Sequence, residues 1–71
     1  MQEVDMIVSD FIKEWDGPEG PHDLYLVECG KCGYMEVFPV EPVEYETGAG
    51  TQCMVCKSHG YVDMEEAKEV R

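Results

Sequence analysis

The residues of this chain best suited to chemistry are four cysteines in two pairs, Cys29-Gly-Lys-Cys32-Gly33 and Cys53-Met-Val-Cys56. The pattern is C-x2-C-x20-C-x2-C, with no cysteine left over. Two ligands separated by two residues can be turned toward one point by a tight loop, and two such loops complete a tetrahedron around one zinc ion. Four thiolates leave no coordination place for water, so the expected role of Cys29, Cys32, Cys53 and Cys56 is structural and not hydrolytic. Gly33 suits the backbone turn that aims amide groups at thiolate sulfurs, and Lys31 and Lys57 offset part of the charge of such a centre. A dithiol redox pair is the weaker reading, because Cys29-Gly-Lys-Cys32 has no thioredoxin-like strand and helix around it.

These pairs need elements to hold them. Leu24 to Val27 reads as a short strand leading into Cys29, and Tyr34 to Val40 alternates as a second strand should. Pro39 and Pro42 favour extended or polyproline geometry at a sheet edge, and Gly48-Ala49-Gly50 reads as a flexible turn before Cys53. Gly60-Tyr61-Val62 supplies a third strand, so the metal domain is expected over residues 24–62. Asp63-Met64-Glu65-Glu66 has capping-box spacing for a short helix within 63–71. At the other end, Val4, Ile7, Val8, Phe11, Ile12 and Trp15 fall at helical spacing, which predicts an amphipathic helix within residues 1–16. Gly17, Pro18, Gly20 and Pro21 then predict an irregular linker over 17–23.

From Leu24 to Asp63 the chain resembles the zinc-ribbon family, on the four cysteines and Gly33. The resemblance implies a small metal-stabilised α+β fold, in which an antiparallel three-stranded sheet carries two metal knuckles at its hairpin tips. To this the flanking segments add an N-terminal amphipathic helix and a short C-terminal helix. The second knuckle has Lys57 where Gly is commonest, which leaves open a treble-clef arrangement with a helix after the second pair; Gly60 and Val62 argue against it. Cys29 to Tyr34 is also similar to the first half of a rubredoxin, an iron electron carrier. The second half departs from that family, with Met54 and Lys57 where a rubredoxin has Pro and Gly.

At 71 residues there is room for one domain, too small for its core alone to stabilise it, so a metal staple is expected. Sixteen acidic against five basic side chains give a formal net charge of −11. Nucleic-acid binding relies on Lys and Arg neutralising phosphates, so the charge points away from direct contact with nucleic acid and toward a protein partner with a basic surface. Glu36, Glu41, Glu44 and Glu46 are candidates for an acidic ridge facing such a partner. His22 and His59 read as exposed loop residues, and no nucleophile and base fall together, so no enzyme is expected. Acidic residues from Glu3 to Glu14 rule against a signal peptide and no apolar run suits a membrane span, which makes a soluble, cytoplasmic chain the expectation.

Zinc ribbons often serve transcription and translation machinery. The resemblance therefore implies a protein-binding adaptor or regulator of nucleic-acid machinery, including transcription regulation. Two alternatives accompany it: an acidic inhibitor that mimics nucleic acid in the basic groove of an enzyme, and a rubredoxin-like iron carrier.

Overall fold

Strand pairing organises residues 3–71, which are the residues described by the computed structural model. In chain order the elements are β1 (Glu3–Gly17), β2 (Gly20–Cys29), β3 (Met35–Val40), α1 (Glu44–Thr47), β4 (Ala49–Gln52), β5 (His59–Val62) and α2 (Met64–Val70). The strands form one five-stranded sheet in the order β3-β2-β1-β5-β4. β1 runs parallel to β5, and every other neighbouring pair is antiparallel. The chain is thus a small α+β protein, but its sheet has five strands and mixed direction where three antiparallel strands are expected.

The amino-terminal segment departs furthest from expectation. It is the long central strand β1, not an amphipathic helix; residues 1 and 2 of the expected segment lie outside the described residues. Val4, Met6 and Val8 alternate inward, and Phe11 joins them out of step. The cause is two register shifts in the pairing with β2, between Val8 and Asp10 and between Phe11 and Lys13. Each bulge inserts one extra residue, so the inward series steps by two, two and three and overlaps the helical series. The β-branched Val4, Ile7, Val8 and Ile12 favour strand over helix, and Ile7, Ile12 and Trp15 of the supposed stripe are left exposed.

The expected linker over 17–23 is also regular structure. Gly17 pairs with Gly20 around a Pro18-Glu19 turn, and Pro21, His22 and Asp23 already belong to β2. Gly20 has φ of 110°, a conformation open to glycine and strained for other residues.

Pro39 does lie in an edge strand, β3, where a missing N–H is tolerated. Beyond it the expected extended stretch gives way to the helical turn α1, and the Glu44 carboxylate reaches back to accept from the Glu41 N–H at 2.7 Å. The expected turn at 48–50 keeps only Gly48 outside regular structure, since Ala49 opens strand β4.

One face of the sheet carries the core, built from Met6, Val8, Tyr25, Val27, Val40, Ala49, Val62, Met64 and Ala67. Helix α2 closes this face. Asp63 caps it by accepting from the N–H groups of Glu65 and Glu66, Met64 and Ala67 face inward, and Glu66 accepts from the Val8 N–H at 2.6 Å. Val8 lies just beyond the last β1 residue paired with β5, so the Glu66 carboxylate takes over where that strand stops.

Candidate metal centre

Both cysteine pairs occupy hairpin tips. The first joins β2 to β3 and the second joins β4 to β5; the second pair leads into a strand, not into the helix of a treble clef. The sheet order separates the two hairpins by β1, yet both tips reach the same end of it, because Met6 pairs with Cys29 and Glu3 pairs with His59. The start of β1 is thereby flanked by both knuckles.

Close approach there depends on two glycines. The Gly30 N–H donates to the Asp5 carbonyl at 2.9 Å, and a Cβ on Gly30 would lie 2.3 Å from that oxygen. A Cβ on Gly60 would lie 1.9 Å from the Val4 carbonyl oxygen, which is fixed backbone and cannot swing away.

The two knuckles repeat one backbone design. In the first, the Cys29 N–H donates to the Tyr34 carbonyl at 2.8 Å and the Gly33 N–H to the Cys29 carbonyl at 2.9 Å. In the second, the Cys53 N–H donates to the Ser58 carbonyl at 2.9 Å and the Lys57 N–H to the Cys53 carbonyl at 3.0 Å. Gly33 and Lys57 sit at equivalent positions with φ of 79° and 64°. Lys57 therefore occupies the left-handed conformation that a glycine would take at lower strain, which explains how the turn survives its departure from the ribbon pattern.

This geometry gathers all four sulfurs within 4.8 Å of one another. Cys29 Sγ lies 3.7 Å from Cys56 Sγ, and Cys32 Sγ lies 3.4 Å from Cys53 Sγ. Tetrahedral coordination with metal–sulfur bonds of about 2.3 Å requires sulfurs about 3.8 Å apart, whereas a disulfide needs about 2.05 Å. The four cysteines are positioned to bind one metal ion. Cys29 and Cys53 are buried and Cys32 is exposed, so the centre has an inner and an outer side.

Hydrogen bonds prepare Cys29 and Cys56 for negative charge. N–H groups of Cys32 and then Lys31 lower the Cys29 thiol below its ordinary range. Cys56 is lowered to about 6, first by the Ser58 hydroxyl and then by the Ser58 N–H. At Cys32 the largest single influence is the Tyr34 N–H, which lowers it, but the sulfurs of Cys53, Cys56 and Cys29 together with burial outweigh it and push the thiol up to about 12. Crowding thus holds back ionisation of Cys32, and a divalent cation at the centre of the four sulfurs would remove that resistance.

Other candidate residues are more dispersed. Glu41, Glu44 and Glu46 gather around α1, with Glu44 engaged at its first turn. Glu36 lies on β3, five residues of mostly extended chain before Glu41, which places it about 16 Å away along the strand direction. His59 is exposed, but on β5 and not in a loop. His22 is buried in β2, where its ring bonds the Gly20 carbonyl at 3.0 Å and approaches Glu41 at 3.4 Å. Neither histidine joins the cysteine cluster.

Gly30, Gly60 and Ser58 are the residues of the centre that sequence reasoning misses. The small residue before Tyr61 and the hydroxyl two residues after Cys56 are the signals that were present. Among the described residues no helix is long and apolar enough to cross a membrane. No protein-family model, curated protein or solved structure matches the chain.

Proposed function

We propose that this chain is a zinc-stapled protein-binding adaptor or regulator acting on nucleic-acid machinery through protein contacts. The observation that carries this reading is the uncovered face of the sheet. Opposite the core, Ile7, Met35, Val37 and Tyr61 are exposed at 41%, 41%, 54% and 58%, with Leu24 and Leu26 half-buried beside them. The pairings of Leu26 with Val37, of Glu28 with both Ile7 and Met35, and of Asp5 with Tyr61 put these side chains on one surface. Large apolar side chains left exposed together on one face are a usual mark of a protein-binding site. Carboxylates lie among these side chains, with Glu28 between Ile7 and Met35, Asp10 opposite Leu26 and Asp5 opposite Tyr61, which suits a partner that presents apolar and basic groups together.

Zinc is supported over iron by the second knuckle, which has Met54 and Lys57 in place of the rubredoxin Pro and Gly. In this reading the ion does no chemistry; it fixes two hairpins so that the outer face is rigid before a partner arrives.

Capture of partners from lysate by wild-type and Val37→Glu proteins, both checked for metal content, tests the reading. A partner retained in the presence of competitor DNA and lost on the variant supports an adaptor face. A partner displaced by DNA and indifferent to Val37→Glu would instead establish the acidic-inhibitor reading, with Glu41, Glu44 and Glu46 as the surface to change next.

A further inference from the structure

At the end of the sheet remote from the cysteines lies a cleft of about 440 Å³. Its walls include Glu14, Trp15, Asp16, Asp23, Tyr45 and Arg71. Three of these are carboxylates and one is a guanidinium, so the cleft carries surplus negative charge. Arg71 pairs with Glu14 and, at 3.1 Å, with Asp23, and its guanidinium lies 5.8 Å from the Phe11 ring centroid. The cleft wall thus already holds one guanidinium by the means proteins use for that group, carboxylate pairing and an aromatic face. Asp16 has no ion-pair partner among the described residues.

Trp15 is arranged as a wall. Its indole covers Gly17 so closely that a Cβ there would lie 2.4 Å from the ring, and on another side it meets the buried His22 ring at 5.7 Å between centroids. The indole is nevertheless 44% exposed. A flat aromatic surface fixed in place and open to solvent, in a cleft whose walls also include the unpaired Asp16, is a platform for a planar cation.

We propose that this cleft receives the guanidinium of an arginine side chain from a basic partner segment, stacked on Trp15 and paired with Asp16, beside the resident Arg71. The volume admits a side chain and adjoining backbone. The inference stands on the cleft alone and is independent of the outer sheet face and of the identity of the metal.

Trp15 is the sole tryptophan, so its fluorescence reports the site directly. The full metal-loaded chain is titrated with N-acetyl-arginine amide and, in parallel, with the neutral isostere N-acetyl-citrulline amide. A saturable change with arginine and none with citrulline is expected. Asp16→Asn, an exposed substitution, should weaken the arginine response about tenfold, the scale of one charge-assisted hydrogen bond. Arg71→Gln should strengthen it several-fold by freeing Glu14 and Asp23. Equal responses to arginine and citrulline, no saturable response up to molar ligand, or full binding by Asp16→Asn would each overturn the proposal.

Discussion

The two ends of strand β1 are held by opposite means. At its start, Glu3 to Met6 runs between two knuckles whose cysteines converge on one metal position. At its far end, order comes from a polar relay: the Tyr25 hydroxyl donates to the Tyr45 oxygen at 2.6 Å, Tyr45 donates to Asp23 at 2.5 Å, and Asp23 pairs with Arg71. Tyr25 is fully buried, so its hydroxyl depends on that relay for a partner. Burial, and then hydrogen bonding to Asp23 and Tyr25, holds the Tyr45 hydroxyl far above its ordinary range, so it remains a donor at physiological pH. A small core lies between the two ends. The metal end is all-or-none, because one ion would close two hairpins at once, whereas changing one member of the relay removes only the bonds that member makes.

Breaking the metal end should do the most damage. Chelation or Cys29→Ser should unfold the chain, since a structural zinc site contributes about 10 kcal/mol or more and a core of this size supplies about 3–5 kcal/mol. Circular dichroism during chelator titration checks this, and readdition of zinc should restore the strand signal.

Next is Gly60→Ala, which drives a Cβ into the Val4 carbonyl. The strand must shift at the centre of the sheet, and a loss of about 3 kcal/mol is expected in urea unfolding of the metal-loaded protein. At the other end, Tyr45→Phe should cost about 2 kcal/mol, because it leaves the buried Tyr25 hydroxyl without its acceptor. Unfolding midpoints should fall while metal content stays unchanged, which separates the two ends. The smallest effect has the opposite sign: Lys57→Gly should stabilise by about 0.5–1 kcal/mol by relieving the left-handed strain of the second knuckle.

The metal end was the legible one. Ligand spacing is a local property, so Cys29, Cys32, Cys53 and Cys56 announce their convergence without knowledge of the sheet. Helix α2 was legible for the same reason, since Asp63 and the residues after it carry their own start signal. β1 was not, because two bulges give a strand the spacing of a helix, and only the β-branched content of Val4, Ile7, Val8 and Ile12 spoke for the strand. The parallel pairing of β1 with β5 joins residues more than fifty positions apart, which no local pattern encodes. Asp23, Tyr45 and Arg71 lie far apart in sequence for the same reason, and the buried His22 was hidden within an apparent Gly and Pro linker.

On the proposed reading four thiolates hold one zinc ion, and that ion makes the fold. Native mass spectrometry of the chain purified without chelator, from cells supplied with both zinc and iron, decides between these metals and a metal-free fold. One zinc per chain, lost together with the compact charge-state distribution when any one of the four cysteines is changed to serine, is the predicted result. A compact metal-free chain, or one carrying iron, would contradict it.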